Sequence, residues 1–196
     1  MNCLVIDTTG PDCAVGVFKG SNDAPVILSD TIGRGHAEHL APMVKTALRT
    51  AHILPSDIER IAVCIGPGSF TGLRVGLSFA KGFALAHDRP LLGLDRLTLA
   101  RADNPDALII LDIKRGDYAV SVPKNGNTIV NGADELEALI AAYEGECIKD
   151  PAINMKTLGR LCTRLNPDEF PPIAFYGRAP DAKLKGGRSL ADRQHD

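Results

Sequence analysis

Tryptophan is absent from the 196 residues, and three tyrosines and six phenylalanines leave aromatic side chains at 5% of the chain. So thin an aromatic complement excludes a platform on which successive nucleic-acid bases stack. An excess of positive charge is missing too: 22 Lys and Arg stand against 24 Asp and Glu, for a net charge of −2 and a pI of about 6.2. That is no basic footprint for gripping nucleic acid unaided or for lying on an anionic membrane. No run approaches the roughly 20 apolar residues of a membrane-spanning helix. The five cysteines (Cys3, Cys13, Cys64, Cys147 and Cys162) are odd in number, scattered and free of any CxxC pair. Small buried thiols in a reducing compartment account for them better than a metal or a disulfide framework. Met1-Asn2-Cys3-Leu4-Val5-Ile6-Asp7 carries no basic segment and reads as a β-strand rather than a signal peptide, so a cytoplasmic chain is expected.

What is present is an ordinary globular composition, 44% apolar and 23% charged, over a length that builds its own core. Apolar runs at 2–7 and 13–18, broken by Thr8-Thr9-Gly10-Pro11-Asp12, predict a β-hairpin, and a third strand is expected at 25–30 after the turn at 19–23. The period then changes: Leu40, Met43, Val44, Ala47, Leu48 and Ala51 recur at helical spacing between His36 and His52. Pro42 fits a helix without strain only in its first turn, so the regular helix should begin near His39 or kink there. A strand at 61–65, a helix at 70–87 and a strand at 90–94 make a βαβ unit, giving the first half the order βββαβαβ.

The second half repeats that order. Shifted by 105, residues 4–18 fall on 109–123 without a gap, with identities at Asp7/Asp112, Asp12/Asp117, Ala14/Ala119, Val15/Val120 and Val17/Val122. Strands are expected near 107–112, 117–122, 127–130, 146–148 and 173–176, and helices at 133–143 and 154–165. The chain therefore divides into a first lobe (1–100), a shortened second lobe (101–180) and a polar tail (181–196) without apolar period, expected to be disordered.

Gly66-Pro67-Gly68-Ser69-Phe70-Thr71-Gly72-Leu73-Arg74-Val75-Gly76 is the most distinctive segment. A Gly-rich turn at a helix N-terminus offers free N–H groups to phosphate. It is neither a Walker A loop nor a dinucleotide fingerprint, and on spacing alone a tight strand-to-helix turn with Ser69 as cap is the plainer reading. Gly72, Gly76, Ala80 and Ala84 then form a stripe of small residues on the helix, suited to close approach by another element. Asp7, Thr8 and Thr9 end the first strand, where a carboxylate and hydroxyls could face phosphate and Mg²⁺; Asp112 holds the matching place. Ile113, Lys114 and Arg115 are bulky where a backbone must approach phosphate closely, so the cleft reads as degenerate for hydrolysis. His36 and His39 have the spacing of a ligand pair but lack a third ligand, and solvated residues at a helix start are the plainer reading.

Together with Arg34-Gly35-His36-Ala37-Glu38-His39-Leu40-Ala41-Pro42-Met43, Ile6-Asp7-Thr8-Thr9, the hairpin from Asp112 to Tyr118 and Tyr176-Gly177-Arg178-Ala179-Pro180-Asp181-Ala182, the Gly66–Gly76 segment resembles the TsaB (YeaZ) family. The resemblance implies an actin-like, ribonuclease H-like α/β fold of two duplicated lobes with a cleft. It implies a non-catalytic scaffold or activating subunit that pairs with the catalytic paralogue TsaD, alongside the ATPase TsaE. That complex transfers threonylcarbamoyl from threonylcarbamoyl-AMP to N6 of adenosine 37 in tRNAs reading ANN codons. TsaD binds its metal through two histidines after the strand that follows the GPG helix; Leu94–Ala100 here has none, so no metal is expected. No tightly bound cofactor is implied beyond ATP or ADP at the interface of the complex. The resemblance further implies that tRNA is reached only through the complex and that the chain alone can form a homodimer. The second lobe is short for the family, and Ile113 stands where a small residue is usual. Leu40, Met43, Ala47, Phe70, Leu73, Gly76, Leu77 and Ala80 are the candidate partner interface, and Asp7, Thr8, Thr9, Gly66 and Gly68 the nucleotide-proximal set. The competing readings are an autonomous actin-like ATPase or small-molecule kinase, and a metallopeptidase related to the TsaD line that would lack its ligands.

Overall fold

A computed structural model describes residues 1–20 and 24–176. The first three strands, β1 (Cys3–Asp7), β2 (Asp12–Phe18) and β3 (Val26–Thr31), form an antiparallel meander. Helix α1 (His36–Ala51) follows, then β4 (Arg60–Cys64), α2 (Phe70–His87) and β5 (Leu91–Leu94). β4 and β5 join β1 in parallel, giving the order β3-β2-β1-β4-β5. β1 and β4 are buried on both faces, as their continuous apolar runs require. α1 and α2 lie on one face over Leu4, Ile6, Val15 and Val63.

Helix α1 begins at His36, three residues before the expected start, and carries Pro42 in its interior. Pro42 and Glu38 are both exposed, so the carbonyl that loses its intrahelical donor is left facing water rather than buried. α3 (Arg96–Asp103) was not anticipated. Its cap is readable in retrospect: Asp95 accepts from Thr98 N at 2.9 Å and from Thr98 Oγ1 at 2.6 Å.

The second lobe opens with β6 (Leu108–Asp112), β7 (Asp117–Val122) and β8 (Gly126–Asn131), continues through α4 (Ala133–Ala141) and adds β9 (Cys147–Lys149) parallel to β6. Its order, β8-β7-β6-β9, reproduces that of the first sheet up to the place of β5. The gapless offset nevertheless hides a shift. Ile6 pairs with Val15, whereas Leu111 pairs with Ala119, not Val120. Leu4 and Ile6 face α1, while Leu108 and Ile110, not Ile109 and Leu111, share the cluster of α4's Leu136. The second hairpin thus holds one extra residue, and a one-residue slip moves every side chain to the other face. Asp7 and Asp112 both end their strands but stand on opposite faces.

Helix α5 (Met155–Arg164) crosses back to the first sheet, where Met155, Leu158 and Cys162 pack with Cys3, Val5 and Ala62. The strand expected at 173–176 does not form. Pro171 and Pro172 have no N–H to offer a ladder, and residues 170–176 make two isolated bonds to the first sheet: Gly93 N to Phe170 O at 2.9 Å and Phe175 N to Ile65 O at 2.8 Å. The tail expected at 181–196 lies outside the described residues.

Candidate functional site

Parallel α/β sheets hold ligands beyond the carboxyl ends of their strands, and here β1, β4 and β5 deliver Asp7, Gly66 and Arg96 to that edge. A cleft of about 460 Å³ opens above them. Thr9, Gly68, Ser69 and Arg96 line it from the first lobe, and Asp112, Ile113, Lys114 and Asp150 from the second. Asp7 is not in the lining. It is 6% exposed, beneath the floor, accepting from Thr9 N at 2.9 Å and Thr9 Oγ1 at 2.7 Å. Burial raises its carboxyl above the usual range; the two Thr9 bonds and the Arg96 guanidinium oppose that. Thr8 turns away from the cleft and donates to Gly72 O at 2.7 Å. Of the expected nucleotide-proximal set, only Thr9 and Gly68 face the cleft.

Asp112 repeats the turn of Asp7 in a wetter setting. Its carboxylate accepts from Lys114 N at 2.6 Å and lies 3.1 Å from Lys114 Nζ. The Lys114 amide, then its ammonium, holds the carboxyl below the usual range. Asp150 accepts from Asp112 N at 3.0 Å. Arg96 joins the lobes, donating to Pro67 O at 3.4 Å and to Pro151 O at 3.2 Å. Sequence reasoning missed Arg96 as a site residue, though its place just past a parallel strand was the available signal.

Among the described residues no group of three His, Cys, Asp or Glu side chains is disposed to hold a metal. His36 and His39 turn to different partners: His36 Nε2 lies 3.2 Å from Asp12 O, and His39 Nδ1 3.0 Å from Gly35 O. His36 is buried rather than solvated, because the start of α1 packs against β2. Ser69 does cap α2, accepting from Gly72 N at 3.2 Å.

The candidate partner interface is corrected: seven of its eight residues do not face outward. Leu40, Met43, Ala47, Leu73, Gly76, Leu77 and Ala80 are buried on the chain's own sheet. On α2 the fit is closest at Thr8: a Cβ on Gly72 would strike Thr8 O, and one on Gly76 would strike Thr8 Oγ1. The small stripe lets α2 settle on the β1–β2 turn. Phe70 alone of the set is open, at 53% exposure. It stands at the mouth of a groove of about 500 Å³ between α1 and α2, whose walls include Ala37, Arg74, Val75 and Phe79 and whose floor reaches Leu40. Arg74 lies 4.6 Å over the Phe70 ring, and Tyr176 packs on it with centroids 5.1 Å apart.

Two lobes of a 3-2-1-4 sheet order, each opening on an antiparallel meander and meeting at a cleft, define a two-lobed actin-like α/β protein. The family described as "TsaD: tRNA N6-adenosine threonylcarbamoyltransferase" matches residues 27–113. The tRNA threonylcarbamoyladenosine biosynthesis protein TsaB of Escherichia coli (strain K12) is 32% identical over 71% of this chain and 62% of its own. The uncharacterized protein Rv3421c of Mycobacterium tuberculosis (strain ATCC 25618 / H37Rv) is 33% identical over 92% of this chain and 93% of its own. YeaZ from Pseudomonas aeruginosa shares the fold, with a TM-score of 0.65 at 17% identity over 89% of this chain and 99% of that one. The chain belongs to the TsaB (YeaZ) family. Its match spans 62% of the length of the E. coli relative.

Proposed function

We propose that the chain is a non-catalytic scaffold and activating subunit in tRNA threonylcarbamoyladenosine synthesis. It pairs with TsaD in the complex that moves threonylcarbamoyl from threonylcarbamoyl-AMP to N6 of adenosine 37. The observation that carries this reading is the α1–α2 groove, where the half-exposed Phe70 and the walls of Val75 and Phe79 leave an apolar hollow between the two helices. The cleft supports it from the other side. Asp7 is enclosed by its own Thr9, and Asp112 is engaged by Lys114. A paralogue of the same fold would bring an equivalent helix pair, making a pseudo-symmetric four-helix joint that buries on the order of 1,600 Å². Isologous pairing over the same patch gives a homodimer in the partner's absence. TsaE, ATP or ADP at the interface, and tRNA enter through the complex, in the cytoplasm.

The test fills the groove without touching Phe70. Ala37→Arg with Ser78→Arg, both at exposed positions, should abolish co-elution with TsaD and tRNA modification by the reconstituted complex, with circular dichroism unchanged. Full assembly and activity in that variant would overturn the docking face. ATP turnover by the isolated chain that vanishes in Asp7→Ala would instead establish an autonomous actin-like ATPase or kinase.

A further inference from the structure

Residues 170–176 lie across the open edge of the first sheet like a strap. Their anchorage is slight. One bond at each end holds the backbone, Gly93 N to Phe170 O and Phe175 N to Ile65 O. Between them Ile173 is 68% exposed, and only Phe170 and Ala174 lean on core clusters. The first lobe is nevertheless shaped to receive the strap. A Cβ on Gly66 would lie 2.5 Å from Phe175 O, and one on Gly93 would lie 2.7 Å from Pro172 Cα and 2.8 Å from Pro171 O. Glycine at these two positions clears the strap's backbone. The far end carries Tyr176, which lines the interlobe cleft and also packs on Phe70 at the mouth of the groove. Phe70 therefore belongs to two places: the docking groove on one side, the strap's last contact on the other.

We propose that residues 170–176 form a latch, closed by Tyr176 on Phe70, that a helix docking in the α1–α2 groove releases by taking the Phe70 ring for itself. Closed, the latch walls the cleft and covers the N–H of Gly93 on the edge strand β5. Open, it widens the cleft mouth and frees that edge only once a partner is seated. The coupling rests on the docking reading above; the latch itself does not. Weakly held segments of this kind open far more often than the core they cover.

Amide hydrogen exchange of the full chain reads both parts. In the chain alone, Phe70→Ala should speed exchange at Gly93 and Phe175 by about tenfold or more while amides of β1 and β4 keep their rates. Unchanged rates at those two amides would overturn the latch, whatever the partner does. With purified TsaD added to the native chain, exchange at Gly93 and Phe175 should rise while amides of α1 and α2 slow. Slowing in α1 and α2 with no rise in the strap would overturn the release and leave the docking face standing. A rise in the strap of Phe70→Ala, but no slowing of α1 and α2 on adding TsaD, would keep the latch, overturn its release by this partner and remove the docking face. Because the chain has no Trp, Tyr176→Trp supplies a single emitter. Its emission should shift on adding TsaD, and an unshifted spectrum in a formed complex would count against release.

Discussion

Thr8 fixes how deeply α2 can sit. Its hydroxyl donates to Gly72 O, and the absent side chains of Gly72 and Gly76 leave room for its carbonyl and hydroxyl. Gly76→Ala adds helix propensity of about 1 kcal/mol, but the new methyl falls on Thr8 Oγ1. Overpacking of this kind costs about 1–3 kcal/mol, so a net loss of stability is expected in urea unfolding; equal or greater stability would show that α2 can move away freely. Asp7 supplies a second test. Its carboxyl is raised by burial, so above the usual value of 3.8 the unfolded chain gives up a proton that the native chain keeps. Stability contributed by protonated Asp7 is therefore complete below that value and declines as pH rises through the raised one. Asp7→Asn keeps an oxygen for the Thr9 donors and removes the buried charge. It should raise the melting temperature at pH 7 relative to native protein, with the gain vanishing toward pH 3. A gain independent of pH would exclude this cause. The sequence placed Asp7 at a strand end but could not tell floor from lining, because the carboxylate's fate rests on Thr9 folding back over it.

At the scale of elements, α2 was legible as a helix over about 70–87 and spans Phe70 to His87, because strand, glycine turn and helical period all agree there. Helix α5 was legible as a helix and illegible as a neighbour. Periodicity shows that a face must be buried, not against which sheet. What fixes α5 is a residue far away in sequence: Arg60, at the start of β4, donates from Nη1 to Cys162 O at 3.0 Å and Leu165 O at 2.9 Å, closing the helix's C-terminus with a cation. Hydrogen bonds from charged groups are worth about 1.5–3 kcal/mol. Arg60→Met keeps most of the stem's packing and removes those donors. Loss of about 2 kcal/mol, with faster amide exchange confined to α5, is expected; uniform loss across both sheets would mean that Arg60 supports β4 instead. The duplicated hairpin was overread for a related reason. Five identities aligned the halves at a single offset, while strand pairing is decided by which face each residue buries, and one extra residue in the turn reversed that for β6.

For the molecule as a whole, the decisive question is how the two sheets are held at the cleft. Leu97 and Ala100 of α3 pack on Ile109 and Leu111 of the second lobe, α5 packs on the first sheet, and Arg96 adds a polar link at the cleft itself. Arg96 N donates to Gly66 O at 2.7 Å, and its guanidinium spans from Pro67 in the first lobe to Pro151 beyond the second sheet. The same charge lowers the Asp7 carboxyl against the rise that burial imposes. A methionine at 96 keeps length and the backbone bond but loses every side-chain donor, so lobe orientation and Asp7 titration should change together. Residual dipolar couplings from the two sheets of Arg96→Met should require separate alignment tensors where the native chain needs one. The Asp7 carboxyl, followed by its carbon shift, should titrate at higher pH than in native protein, and shifts within each sheet should stay in place. A single shared tensor with an unmoved Asp7 would assign the joint to the packed surfaces of α3 and α5 instead. Thr157 and Arg160, which both bond Asp103 across those helices, would then add to that packed joint.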